Sequence, residues 1–391
     1  MPAHRRLRRI YALEDFEPAA RRHLPAPIFG YVAGAAETNA SYDDNRRAFA
    51  EIGFVPRVGV DVSGRSLACD VMGQAFDLPF GIAPMGVSAL TAYRGDLVLA
   101  RAAGQARIPM IVSAASLIPL EEITAANPEV WYQAYLPQHL AEIEALLARV
   151  ARAGVETLVV TLDSAVVPSR ENNLRTGYRT PLRPDLALFW QGITHPRWAL
   201  GTFLRTFLRH GTPHFENATA TRGAPLLSRR AVRDFSGREF LSWDLLAEVR
   251  RMWKGHLVLK GILHPDDVTR AAHLGAEGVI LSNHGGRQLD GAVSPLRVLT
   301  AARRCAPDLP MMLDGGVLRG TDILKALALG ARFVFVGRPF NYAASIAGEA
   351  GVAHAIDLLR RQLMADLGML GLTDLAQLDR SVLLCEGFRE V

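Results

Sequence analysis

From residue 80 onward the chain alternates short apolar runs with amphipathic stretches, and this rhythm restricts its fold more than any other feature. Eight runs stand out: FGIA (80–83), PMIVS (109–113), VWYQAY (130–135), TLVVTLD (157–163), LVLKG (257–261), GVILSN (278–283), PMMLDG (310–315) and RFVFVG (332–337). They read as strands buried on both faces, with Gly, Ser, Asp or Asn at their ends. Between them lie helical stretches such as AEIEALLARVARAG, HPDDVTRAAHLG and GTDILKALALG, each ending in a glycine where a left-handed C-cap would sit. Eight βα units predict an α/β fold, a (β/α)8 barrel.

Two segments fall outside that count. Residues 1–75 read as a helical extension, with LEDFEPAARRHL and the stretch around YDDNRRAFAEIGF as helices that either cover the bottom of the barrel in 76–391 or reach its mouth. An excursion between the fourth and fifth strands, 164–240, is far longer than an ordinary connection. It places Leu186, Leu188, Phe189, Trp190, Trp198, Leu200, Phe203, Leu204, Phe207 and Leu208 among His195, Arg197, Arg205 and Arg209. That mixture suits a helix lying in a membrane interface, and equally a lid or an oligomer contact buried against protein.

A net charge of +5 over 391 residues, without a basic block, argues against a nucleic-acid partner. Cys69, Cys305 and Cys385 are far apart and form no CxxC, so neither a disulfide framework nor a thiolate metal site is expected, and a reducing, cytoplasmic setting fits. The basic start MPAHRRLRRIYALEDF lacks the apolar core of a secretory signal, and no run reaches the roughly 18 apolar residues of a spanning helix. Attachment to the inner face of the cell membrane stays open.

In such a barrel the chemistry sits at the C-terminal ends of the strands. After the sixth run, SNHGGRQLD offers His284 as a base and Arg287 as an anion binder on one loop. After the seventh and eighth runs, DGGVLRGTD and VGRPF bring glycine amides together with Arg338, a phosphate site. Lys260 ends an apolar strand, where a cation needs an anion or a polar ring. TLDSAVVPSREN supplies Asp163, suited to orient a histidine, and Arg170, suited to a two-sided carboxylate clamp. In WYQAYLP, Gln133 and Tyr135 share one side of the third strand.

SNHGGRQLD, LVLKG, DGGVLRGTD, ALALGA, VGRPF, WYQAYLP, TLDSAVVPSREN and the early LPAPIFGYVAGAAE together resemble the FMN-dependent L-2-hydroxy acid oxidising family, over roughly residues 11–370. HPRW in the excursion is most similar to its membrane-bound bacterial lactate and mandelate dehydrogenases. The resemblance implies FMN as cofactor, a 2-hydroxy acid as substrate, a quinone or oxygen as electron acceptor, and a homotetramer. It implies that His284 is the catalytic base and Asp163 its paired acid, while Arg287, Arg170, Tyr31 and Tyr135 contact the substrate. For the flavin it implies Pro84, Met85, Gly86, Ser113, Gln133, Thr161, Ser282 and Lys260, the last beside the ring's N1 and C2 carbonyl. Asp314, Gly315, Gly316, Gly337 and Arg338 would hold the ribityl chain and phosphate.

The chain also departs from that family. Leu318 stands where relatives usually carry an arginine, so a phosphate contact is lost or passes to Arg319. Ala115 replaces a bulky tryptophan of glycolate oxidase, and Val32 follows Tyr31 where a second tyrosine is common. A roomier pocket for lactate or larger, aryl acids is expected. An oxidase making hydrogen peroxide, an FMN barrel isomerase and a barrel kept only for binding are the competing readings.

Overall fold

The computed structural model describes residues 6–178, 186–226, 228 and 238–385; parts of the excursion, with the Leu188 side chain, lie outside them. The eight barrel strands are β1 (Phe80–Ile82), β2 (Ile111–Ser113), β3 (Trp131–Ala134), β4 (Thr157–Thr161), β5 (His256–Ile262), β6 (Gly278–Leu281), β7 (Met311–Asp314) and β8 (Phe333–Val336). They form one parallel sheet in the order β1-β8-β7-β6-β5-β4-β3-β2. A parallel bridge between Ile82 and Met110 brings the two ends together, so the sheet closes as a (β/α)8 barrel. The helices outside it are amphipathic. In Leu140–Arg152, the buried residues Ile143, Leu146, Leu147 and Val150 form one stripe against the strands. Gly154, Gly275 and Gly330 end three such helices with positive φ, as their sequences predict.

The barrel interior is packed solid below the site. Ile111, Trp131, Val159, Val258, Ile280, Met312, Phe333 and Phe335 fill it. From beneath, a hairpin of Cys69–Val71 and Gln74–Phe76 inserts Val71 and Phe76 into the same cluster. Trp131 Nε1 donates to Gln74 Oε1 at 3.2 Å. The strands' upper ends are therefore the open side.

The segment before the barrel serves both ends. While the hairpin covers the bottom, helices Phe16–His23, Ala26–Ala33 and Ala40–Ala50 bring Glu17, Tyr31, Val32, Tyr42 and Arg46 to the mouth. Helix Ala26–Ala33 lies very close to Glu171–Arg175, because Gly30 has no side chain at the crossing: a Cβ there would stand 2.0 Å from Thr176 Oγ1. Gly30→Ala should cost about 1–3 kcal/mol of stability through overpacking. A lowered urea midpoint, restored when Thr176→Gly is added, is the expected result.

Within the described part of the excursion, Leu186–Thr194, Pro196–Trp198, Ala199–Leu204 and Arg205–His210 are helical, while 211–226 form an extended loop with a bridge between His214 and Pro225. Buried Trp198 fastens it, donating from Nε1 to Leu90 O at 2.7 Å. Gln191 Oε1 accepts from Ala26 N at 3.0 Å, and His210 Nε2 lies 2.9 Å from the Tyr93 hydroxyl.

Candidate active site

The loop after β6 turns sharply: His284, Gly285 and Gly286 all have positive φ, at 57°, 63° and 75°. For a non-glycine residue this is an unusual backbone, held only where the surroundings specify it. Here the His284 amide donates to Ser282 Oγ at 2.9 Å, and Gly286 N donates to Asn283 Oδ1 at 3.1 Å. Asn283 and Asn45 exchange side-chain hydrogen bonds of 2.8 and 2.9 Å, tying this loop to helix Ala40–Ala50.

The turn presents the His284 ring to the cavity with Nδ1 2.8 Å from Asp163 Oδ1. A carboxylate only accepts, so Nδ1 carries the proton and Nε2 is left as the basic atom. Burial lowers the His284 pKa; the Asp163 charge opposes this, Lys260 and Arg170 add to the depression, and the balance lies below the ordinary histidine value. For Asp163, burial raises the pKa, but His284 and Lys260 outweigh it and keep the carboxylate ionised. The ring is thus neutral at neutral pH, and a proton taken by Nε2 is stabilised by the adjacent anion.

Three guanidinium groups converge beside it. Arg287 Nη1 donates to the carbonyls of Tyr31 at 2.8 Å and Gly34 at 2.6 Å, at the carbonyl end of helix Ala26–Ala33. Arg338 donates to Val32 O and Gly34 O, each at 3.1 Å, and to Gly285 O at 2.9 Å. Arg170 donates to Arg287 O at 3.1 Å and to Gln288 Oε1 at 2.7 Å. Burial, with Arg170 and Arg338 nearby, lowers the Arg287 pKa. Among the described residues the Arg287 guanidinium donates to backbone carbonyls, and such a group of cations is suited to anions.

On the barrel floor, Lys260 Nζ donates to Ser282 Oγ at 2.8 Å and pairs with Asp314 Oδ2 at 2.9 Å. Gln133 Oε1 accepts from Ser113 Oγ at 3.2 Å. Gln133 Nε2, Thr161 Oγ1 and Asp314 Oδ1 are buried in the described structure with no partner. One amide donor, one hydroxyl and one carboxylate oxygen left open around a cavity of about 820 Å³ is the complement of a polar heterocycle carrying hydroxyls. FMN fits this set. Gly315, Gly316 and Gly337 line the cavity with Arg338, where helix Arg338–Ala347 begins, a combination suited to its phosphate.

Most of the residues singled out in the sequence line this one cavity: Tyr31, Pro84, Met85, Gly86, Ser113, Gln133, Tyr135, Thr161, Arg170, Lys260, His284, Arg287, Asp314, Gly315, Gly316, Gly337 and Arg338. Asp163 and Ser282 stand behind it, bonded to His284. Arg319 is placed differently from the expectation. It is not among the lining residues, and its Nε donates to Glu14 Oε1 at 2.7 Å. The cation near Leu318 is instead Arg46, bonded to Gly316 O and to Asp322 Oδ2 at 3.0 Å. The sequence carried no sign of Arg46, nor of Tyr178, whose ring packs 4.6 Å from that of Tyr31, nor of Phe215 in the cavity wall.

The profile of the FMN-dependent dehydrogenase family matches residues 20–385. (S)-Mandelate dehydrogenase of Pseudomonas putida is 35% identical over 379 residues, 97% of this chain and 95% of that protein. An L-lactate dehydrogenase of Stenotrophomonas maltophilia (strain R551-3) is 36% identical over 385 residues, 96% of this chain and 98% of that one. The crystal structure of monotopic membrane protein (S)-mandelate dehydrogenase superposes with a TM-score of 0.91 at 34% identity, covering 97% of this chain and 100% of that chain.

Proposed function

Since the chain belongs to the FMN-dependent dehydrogenase family, an FMN enzyme family whose named relatives are lactate and mandelate dehydrogenases, we propose that it oxidises an L-2-hydroxy acid, lactate or a larger aryl acid such as mandelate, to the 2-oxo acid. The observation that carries this reading is the His284–Asp163 pair facing a cavity flanked by Arg287 and Arg170. The substrate loses two electrons and two protons as its C–OH becomes C=O. Bound FMN would supply the acceptor for the two electrons and for the second proton. Arg287 and Arg170 hold the substrate carboxylate by charge-assisted hydrogen bonds, with the Tyr31 hydroxyl beside them. His284 Nε2 takes one proton, and Asp163 stabilises the resulting imidazolium. Burial raises the Tyr135 pKa, so its hydroxyl stays protonated and able to donate. Lys260 places positive charge at the floor, beside Thr161 and in the same cavity as the open Gln133 amide, and would offset negative charge on a bound flavin. Ala115 leaves room beside the substrate carbon for a side chain larger than hydrogen.

Anaerobic mixing of the yellow protein with L-lactate, (S)-mandelate and glycolate tests the reading. Bleaching by lactate or mandelate supports it; a strong preference for glycolate overturns the predicted pocket, and no bleaching by any of them overturns the reaction.

The excursion supports an acceptor in a lipid surface, a quinone, in place of oxygen. No helix among the described residues is long and apolar enough to cross a membrane. Yet Leu186, Phe189, Trp190, Leu200 and Leu208 are 63–87% exposed among Arg197, Arg205 and Arg209, which suits insertion to headgroup depth. Replacing Phe189, Trp190 and Leu200 together by Asp should move the enzyme from the membrane pellet to the supernatant while it still reduces a soluble dye. Retention in the pellet would count against the lipid contact, and rapid reoxidation of the wild-type flavin by air would favour an oxidase.

A further inference from the structure

The space beside Ala115 is bounded by a residue that the chain reaches only after the helices of the excursion. Phe215 is 5% exposed and lines the cavity. The segment carrying it is laced to the loop after β2. Glu216 N donates to Ser116 O at 3.1 Å, Asn217 Nδ2 to Ile118 O at 2.8 Å, and Leu120 N to Asn217 Oδ1 at 2.9 Å. From β3 the Tyr132 hydroxyl donates to Asn217 O, and Arg149 Nη1 donates to Glu216 O at 2.7 Å. Behind the ring, Gly223 N donates to Phe215 O at 2.9 Å. Displacing Phe215 would break several of these buried bonds together, so it is a fixed wall and not a swinging lid.

Next to this wall the chain uses its smallest residues. A Cβ on Gly86 would stand 2.9 Å from Ala115 Cβ and 3.2 Å from the Tyr31 hydroxyl, so neither Gly86 nor Ala115 projects bulk into the space. Tyr178, packed on Tyr31, continues the aromatic lining. The carboxylate-binding arginines and His284 fix a substrate's C1 and C2, which leaves its substituent at C2 to face this apolar part of the cavity. A phenyl substituent offers this wall far more apolar surface than a methyl group does.

We propose that Phe215 is a specificity-determining residue, the apolar wall against which the C2 substituent packs, so that the enzyme selects 2-hydroxy acids with an aryl or comparably large side chain over lactate. The inference rests on the reading of the reaction given above and adds to it the class of substrate. Apolar packing of this kind discriminates by roughly 10- to 200-fold.

The test is rapid-mixing reduction of the FMN-loaded enzyme by (S)-mandelate and by L-lactate, in the wild type, Phe215→Ala and Phe215→Leu. The wild type should prefer mandelate, and the mandelate-to-lactate ratio of kcat/KM should fall about 10- to 100-fold in Phe215→Ala. Dissociation constants of the products, phenylglyoxylate and pyruvate, measured by calorimetry without turnover, should show the same selective loss. An unchanged ratio, or equal losses with both acids, overturns the role of Phe215 while leaving the reaction intact. If Phe215→Ala does not retain FMN, Phe215→Leu decides, and a ratio equal to the wild type's overturns the proposal. Reduction of the wild type by neither acid would instead sink the reading of the reaction, and this inference with it.

Discussion

His284→Ala should slow flavin reduction by roughly 100- to 10,000-fold, the range set by a general base, while the protein still folds and stays yellow. The residue is positioned to move a proton and not to hold the cofactor: its Nδ1 is committed to Asp163, and the open polar atoms suited to FMN belong to Gln133, Thr161 and Asp314. The pH dependence gives a second handle. The neutral ring is the active form, so kcat/KM should be full above the His284 pKa and fall as pH drops through it. Because burial, only partly offset by Asp163, keeps that pKa below the ordinary histidine value, the profile should stay flat through neutrality and turn down on the acid side. Asp163→Asn removes the group that raises the pKa. The acid limb should then move to lower pH while the plateau rate falls, since the imidazolium loses its counter-ion. A His284→Ala enzyme with most of its activity, or an Asp163→Asn profile shifted to higher pH, would contradict the assignment.

How far these arrangements could be read beforehand depends on whether a residue obeys a local rule. The strands were legible because each is apolar on both faces and therefore a continuous run, and His284, Arg287, Lys260 and Asp163 follow from standing at strand ends. The bottom hairpin was not foreseen. Its two-residue turn uses Met72 and Gly73, both at positive φ, and Met gives none of the usual Asn-Gly signal for that geometry. Arg46 sits in the helical stretch DDNRRAF, where a charge reads as a solvated face; only tertiary packing directs it to Gly316 O. Phe215 reaches the wall through hydrogen bonds to loops about 100 residues away in sequence, such as that between Asn217 and Leu120, with |i−j| of 97. No periodicity records such a contact. Arg319 is a related case: the sequence left the phosphate contact either lost at Leu318 or passed to Arg319, and in the structure Leu318 lines the cavity while the Arg319 guanidinium turns to Glu14, a partner that lies before the barrel.

Replacing Lys260 by Met should be the most damaging change on the barrel floor, for a reason that a second substitution can isolate. Lys260 is 3% exposed and Asp314 11%, and they pair at 2.9 Å. Removing one partner of a buried pair leaves the other charge without compensation, at a cost of about 3–5 kcal/mol. Lys260→Met should therefore unfold at a markedly lower temperature and be isolated largely free of FMN. Adding Asp314→Asn neutralises the orphaned charge, so the double variant should regain much of the lost thermal stability. It should not regain fast reduction, because the positive charge beside Thr161 on the cavity floor is still missing. Stability and chemistry separate in this pair of measurements. A double variant that recovers both would make Lys260 merely the counter-ion of Asp314, whereas a stable, flavin-loaded Lys260→Met single variant reduced at the wild-type rate would deny the lysine either role.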